Sequence, residues 1–352
     1  MKKLVKAKAG AQVEVVPAAD IFSAELVKSW LRFLRVSKKT VETYNVAVRQ
    51  MFKYFNTNNI TRPAREDLEN WLDELINTPS ARTGKKVAPS TIQLYLTGCR
   101  LFFQWLAQKG LYADIAAHLK SGLRLSHNHK RGALTAIQAA QLFKAANKIF
   151  KGDLKIKQVR AFLALSLSTG VRSIECERAV IGNLRRDNGI MYLFVTGKGH
   201  SSADAQVKID AQVYAVIQEY LQARAQAGDD VSDNAPLFAS AARGSFGKTL
   251  STQTLRKDVR SLLDAIGLKD RAYSQHSLRH TAITQAILNN PDQSKALTQA
   301  SQMARHSSLN VTMLYNHTIE RMRNDSELYA ANALFGALDT LNAQTPDNAH
   351  FA

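Results

Sequence analysis

The chain has 352 residues, 45% of them hydrophobic, and its 47 Lys and Arg against 29 Asp and Glu give a formal charge of +18. That length suggests two domains with substantial cores, and that charge favours polyanionic partners, nucleic acid first. No apolar run long enough to cross a membrane and no basic-then-apolar leader is read, so a cytoplasmic protein is expected, and Cys99 and Cys176, far apart in apolar segments, indicate neither a disulfide framework nor a thiolate metal site.

Residues 1–20, with Lys2, Lys3, Lys6 and Lys8, lack periodicity and read as a basic flexible arm. Apolar residues then recur at helical spacing: Leu26, Trp30, Phe33 and Leu34, and, after a break at Ser37 to Lys39, Val41, Tyr44, Val48, Met51, Phe52 and Phe55. A third stripe follows Pro63 through Leu68, Trp71, Leu72, Leu75 and Ile76. A fourth follows Ser90 through Ile92, Tyr95, Leu96, Cys99, Phe102, Phe103 and Leu106. These predict a compact helical bundle over residues 21–119, interrupted at 79–86 by a polar loop that is either a solvated surface or a DNA contact through Lys85 and Lys86. Lys38 and Lys39 are further DNA-contact candidates.

Residues 120–133, holding Lys120, Arg124, Lys130 and Arg131 among Ser, Gly, His and Asn, form the best candidate linker, with Lys130 and Arg131 again able to meet DNA. Thr135 with Gln138 is a capping-box pattern that opens a helix carrying Ile137, Leu142 and Phe143. The next helix, through Phe162, Leu163 and Leu167, should stop at Thr169-Gly170, where glycine supplies a left-handed cap. Asp187-Asn188-Gly189, between residues 181–186 and 190–195, signals a hairpin, and Gly197-Lys198-Gly199 turns the chain again before Val207 and Ile209. The remainder is helical pattern broken near Pro236, residues 244–247, Gly267 and Pro291.

Four segments carry side chains suited to a phosphodiester: Arg172, Lys198, the run His276-Ser277-Leu278-Arg279-His280, and His306 followed by Tyr315. Singly each has a plainer role as a solvated cation, a packing histidine or a half-buried helix tyrosine. His276 and His280, one helical turn apart, have no nearby acid or third ligand, so no metal site is expected. Gly244-Ser245-Phe246-Gly247-Lys248-Thr249 suggests a phosphate loop, but Ala242 stands where its first glycine belongs.

Taken in order, the segments resemble the tyrosine recombinase family of phage-type integrases. Thr169-Gly170-Val171-Arg172-Ser173-Ile174-Glu175 is similar to its first arginine box and His276-Ser277-Leu278-Arg279-His280-Thr281 to its second. The run His306-Ser307-Ser308-Leu309-Asn310-Val311-Thr312-Met313-Leu314-Tyr315 resembles its nucleophile box, and the four helical stripes resemble its core-binding domain. Arg305 departs from the glycine the family commonly has before the histidine, and the stretch around residues 289–294 is longer than usual.

The resemblance implies a mainly α fold with a small antiparallel β-sheet in a catalytic domain over residues 134–324, a C-terminal helix and tail over 325–352, and a two-domain, C-shaped clamp on double-stranded DNA. It implies Tyr315 as nucleophile forming a 3′-phosphotyrosine, Arg172 and Arg279 as phosphate clamp, and Lys198 as general acid for the leaving 5′-oxygen. His276 would assist proton transfer with Tyr315 and His306 would bond the phosphate, while Glu175 and His280 are either supporting residues or an ordinary salt bridge and packing histidine. No cofactor is expected, and partners are DNA sites and further copies of the chain, a dimer on one site and a tetramer on paired sites. Integration or excision of a mobile element is the expected role, with resolution of chromosome or plasmid dimers as the alternative. A type IB topoisomerase and an inactive DNA-binding protein are the more distant rivals. Leu328, Ala331, Leu334, Phe335, Leu338 and Leu341 mark an apolar helical face that packs on its own domain or docks on a neighbouring protomer.

Overall fold

The computed structural model describes residues 23–79, 83–123, 132–197, 205–268, 270, 272–306, 308 and 312–313. The chain separates into two compact units, residues 1–126 and 127–352. The basic arm, Lys130, Arg131, Lys198, Tyr315 and the apolar face after it lie outside the described residues.

The first unit holds α1 (Ala24–Phe33), α2 (Lys38–Thr57), α3 (Arg65–Asn77) and α4 (Pro89–Gln108). Their starts follow from the residues that precede or open them. Ser23 Oγ accepts the Leu26 N–H and Ser37 Oγ the Thr40 N–H, both at 3.2 Å, satisfying amides that have no partner inside the helix. Asp67 reaches back to the Ala64 N–H at 2.7 Å, and Pro89 opens α4 where a missing N–H is harmless. The core joins Trp30, Met51, Phe55, Leu68, Trp71, Ile92 and Phe102, with Phe102 meeting Trp30 edge-on at 5.2 Å. Gly98 lets α4 approach α2, since a Cβ there would sit 2.9 Å from the Ala47 Cβ. Phe33 departs from the expected stripe: it is 56% exposed, and Leu34, where the chain leaves the helix, packs on the core instead.

The second unit runs α5 (Ala136–Ile149), α6 (Asp153–Thr169), α7 (Ser173–Arg178), β1 (Leu184–Asp187), β2 (Ile190–Val195), β3 (Ala205–Ile209), α8 (Ala211–Gln226), α9 (Thr252–Ala265), α10 (Gln275–Leu288) and α11 (Ala296–Ala304). It is mainly α with one three-stranded antiparallel sheet in the order β1-β2-β3. Asn188 and Gly189, at φ +46° and +80°, make the tight β1–β2 turn that their identity favours. The capping box of α5 has both arms, Thr135 Oγ1 accepting from Gln138 at 3.1 Å and Gln138 Oε1 accepting from Thr135 at 2.9 Å. Ile137, however, is 73% exposed, because it stands about 140° around the helix from Leu142 on the buried face. Residues 181–183, expected to extend the first strand, form a 3-10 turn in which Asn183 Oδ1 accepts the Val180 N–H at 2.9 Å and the Gly182 N–H donates to the Asp233 carbonyl at 2.8 Å.

Helix α10 lies against α6, α9 and α11. The Leu134 N–H donates to Thr281 Oγ1 at 2.8 Å, which ties the start of the unit to this helix. The phosphate-loop lookalike is a closed loop whose Gly247 N–H donates to Ser240 O at 3.1 Å. Cys99 and Cys176 are buried, one in each core, and burial pushes both thiols above their ordinary pKa. Among the described residues no helix is long and apolar enough to cross a membrane.

Candidate active site

The site starts where α6 stops. Gly170 adopts φ +63°, its N–H returning to Ser166 O at 3.0 Å, and the reversed chain delivers Arg172 to the N-cap of α7. Glu175 lies one turn into α7. Its Oε2 accepts the Arg172 N–H at 2.7 Å and its Oε1 accepts Arg172 Nη1 at 3.0 Å, so one carboxylate caps the helix and orients the guanidinium.

Arg279 comes from α10 and is buried. Its Nη1 donates to Gly170 O at 2.5 Å and its Nη2 to Ala304 O. Arg172 Nη2 donates to Arg305 O at 3.4 Å. Two arginines remote in sequence thus converge on the turn that ends α11. That turn is a Schellman-type cap, with Arg305 N–H to Gln302 O at 3.0 Å and His306 N–H to Ser301 O at 3.2 Å. The residue at its left-handed position is Arg305, at φ +54° and ψ +49°, a conformation that costs a non-glycine residue about 1–2 kcal/mol. The Arg305 side chain does not point away. Its Nη2 donates to Glu175 Oε2 at 2.6 Å and its Nη1 to Met303 O at 3.2 Å. Burial is the main influence pulling this guanidinium below its ordinary pKa, Glu175 pushes it back up, and Arg172 adds a smaller downward push.

His306 follows directly. Its Nδ1 lies 2.8 Å from Thr312 Oγ1, and Thr312 is fully buried, so the ring is held through one nitrogen from within the nucleophile run. His276 is exposed on α10, one turn before the buried His280, and the two rings meet edge-on at 4.8 Å. The structure therefore brings together Arg172, Glu175, Arg279 and the turn bearing His306, with His276 and His280 on the same helix as Arg279.

The sequence pattern of the phage integrase family matches residues 133–321, which hold all of these groups, and that of the phage integrase N-terminal SAM-like domain matches residues 27–110. The chain belongs to the phage integrase family. It is a tyrosine recombinase, a site-specific DNA strand-transferring enzyme. A tyrosine recombinase XerC of Lactobacillus delbrueckii subsp. bulgaricus is 27% identical over 288 residues, covering 80% of this chain and 88% of that protein. The XerH site-specific recombinase bound to palindromic difH substrate in a post-cleavage complex has a TM-score of 0.65 at 19% identity, over 88% of this chain and 84% of that one. A lambda integrase tetramer bound to a Holliday junction gives 0.55 at 14% identity, over 81% and 77% of the two chains. These two structures share the fold.

In this recombinase Lys198 and Tyr315 lie outside the described residues, but the described residues on either side of Lys198 are anchored. Arg178 of α7 donates to Gly197 O at 2.8 Å, and β2 pairs with β3 as far as Val195 and Ala205. Of the DNA-contact candidates, Lys38 and Lys39 are exposed at the start of α2, with Lys39 3.3 Å from Glu42, and Lys85 and Lys86 are exposed in their loop. Sequence reasoning passed over two residues of the site. Arg305 stands out in the sequence as a departure from the family's glycine, but its bond to Glu175 has no local sequence signal. Thr312 gave no signal beyond its place in the nucleophile run.

Proposed function

We propose that this enzyme recombines DNA by transesterification at a site formed by Arg172, Lys198, His276, Arg279, His306 and Tyr315. The observation that carries the reading is the convergence of Arg172 and Arg279 on the carbonyls of Ala304 and Arg305, directly before His306. Cleaving a phosphodiester requires a nucleophile, offset of charge on two non-bridging oxygens and a proton for the leaving oxygen. Tyr315 Oη bonds to phosphorus with its proton passing toward His276, the bond from phosphorus to the 5′-oxygen breaks, and Lys198 supplies that oxygen with a proton. The planar guanidinium forks and His306 hold the oxygens. The 3′-phosphotyrosyl bond keeps the energy of the broken linkage, and attack by a 5′-hydroxyl reverses the step without ATP.

Assembly as a dimer on one duplex site and a tetramer on paired sites accords with the solved lambda integrase tetramer on a Holliday junction. The longer stretch around residues 289–294 is a surface connection between α10 and α11, where Asn290 Oδ1 accepts from Asp292 at 2.9 Å and Asp292 Oδ1 from Ser294 at 3.1 Å. It leaves integration or excision and dimer resolution to be separated by the DNA itself.

The test is covalent capture. Protein incubated with a random nicked duplex library, and in parallel with nicked fragments of cellular DNA, is denatured, and attached DNA is sequenced. Adducts are expected with the unmodified chain, also in excess EDTA because the arginines and Lys198 offset phosphate charge, and none with Tyr315→Phe. An adduct on the Phe variant, or loss of adduct on chelation, overturns the mechanism. Captured cellular DNA that flanks a mobile element gives the first role; one repeated chromosomal or plasmid site gives the second.

A further inference from the structure

The mechanism above has no use for Arg305, yet its guanidinium lies inside the site. We propose that Arg305 is a positioning residue that anchors and neutralises Glu175, so that Arg172 is free to grip the scissile phosphate. This rests on the reading of Arg172 and Arg279 as the phosphate clamp.

Glu175 is a carboxylate whose side chain is 1% exposed, and a buried charge must keep a partner. It has two, Arg172 Nη1 at 3.0 Å and Arg305 Nη2 at 2.6 Å. Were Arg172 the sole cation, turning it toward DNA would strip a buried carboxylate of its counter-charge. With Arg305 in place at the shorter distance, Glu175 stays paired whichever way Arg172 turns. Exposure sorts the two arginines accordingly, 35% for the Arg172 side chain and 15% for Arg305. The more open one faces substrate and the covered one serves the carboxylate.

The backbone points the same way. The Arg305 and His306 N–H groups close the cap at the end of α11 through main-chain hydrogen bonds, and glycine would adopt φ +54° with less strain. Within the turn the side chain adds one bond, Nη1 to Met303 O at 3.2 Å, while its Nη2 leaves the turn for Glu175. Its effect is on charge. Arg172, Arg279 and Arg305 against Glu175 leave a surplus of two positive charges, and without Arg305 the surplus is one. Attack of a phenolate on a phosphodiester builds close to two negative charges around phosphorus, so the third arginine matters most as that charge develops.

The experiment uses the full chain and a nicked duplex of the sequence enriched by covalent capture, and it reads the single-turnover adduct rate at saturating DNA together with affinity by band shift. Arg305→Gly should slow adduct formation by about 10–100-fold, the effect of losing one hydrogen bond to a charged group, while affinity stays within about threefold. Arg305→Lys should keep the rate within about fivefold because the charge remains. In a Glu175→Gln chain the glycine substitution should change the rate by less than about threefold, since no carboxylate is left to neutralise. If Arg305→Gly melts below the assay temperature, the lysine variant and the Glu175→Gln/Arg305→Gly pair carry the test, and a large rate loss in either overturns the proposal. Arg305→Gly cleaving as fast as the unmodified chain also overturns it. An equal loss in both Glu175 backgrounds places Arg305 on the phosphate directly and overturns the route through Glu175. Failure of the unmodified chain to form a Tyr315-dependent adduct is a separate result, which removes the active-site reading and this inference with it.

Discussion

Helix α4 of the first unit buries Ile92, Leu96, Gly98, Cys99, Phe102, Phe103, Trp105 and Leu106. Helix α10 of the second unit buries Gln275, Ser277, Arg279, His280, Thr281 and Thr284 along with Leu278, Ala282, Ile283 and Ile287. The two helices are held by different physics. Apolar burial stabilises α4 at about 25 cal/mol per Å² without fixing direction, so its aromatic cluster tolerates small shifts. The polar groups of α10 each need a partner at bonding distance, and those bonds fix where the helix sits. Arg279 holds the Gly170 turn and the end of α11, Thr281 holds Leu134, and the Ser274 N–H donates to Ser277 Oγ at 3.1 Å. The helical bundle is served by mass of core, whereas the proposed phosphate site needs side chains placed to a fraction of an ångström.

The contrast breaks most severely at Arg279. Arg279→Ala should reduce single-turnover cleavage by about 10³-fold or more and also lower stability, because the Gly170 and Ala304 carbonyls lose their donors at about 1–3 kcal/mol each. A melt and a cleavage assay on one preparation should both fall, and a fall in only one would mean that scaffold and chemistry are separable on this helix. Phe102→Ala is the counterpart in α4, expected to destabilise by about 3–5 kcal/mol in denaturant titration while cleavage by the DNA-bound protein at low temperature stays near normal. A direct fall in the cleavage rate there would contradict a purely structural role for the aromatic cluster. Thr281→Val lies between them. It leaves the buried Leu134 N–H unpaired at about 1–3 kcal/mol, with little change in cleavage below the melting point, and marks the scaffold half of the α10 polar set. The smallest effect belongs to the surface: Lys85→Ala/Lys86→Ala should weaken binding uniformly across sequences and shift the slope of log affinity against log salt by about 2. An unchanged slope would show that these lysines do not meet phosphates.

The same contrast explains what the sequence made legible. Helices α1 to α4 could be read because apolar periodicity is their whole specification, and the Thr135 box, the Gly170 stop and the Asn188-Gly189 turn could be read because each is a local conformational requirement. The departures at Phe33 and residues 181–183 arise where a tertiary neighbour or the end of a helix, rather than periodicity, decides the structure. Arg172 and Arg279 were legible through family resemblance, but their meeting at the α11 cap was not, since no local pattern encodes a bond between residues so remote in the chain. The bond from Arg305 to Glu175 is of the same kind.

Each core holds one buried thiol, Cys99 among the aromatics of α4 and Cys176 next to Glu175. With burial holding both well above the ordinary thiol pKa, neither presents a thiolate to a reagent until its own unit opens. An alkylating agent in solution therefore times two doors separately, each recorded on its own peptide by mass spectrometry. The protein carries, without any engineered label, a pair of clocks that report whether DNA slows the breathing of the bundle, of the catalytic unit, or of both.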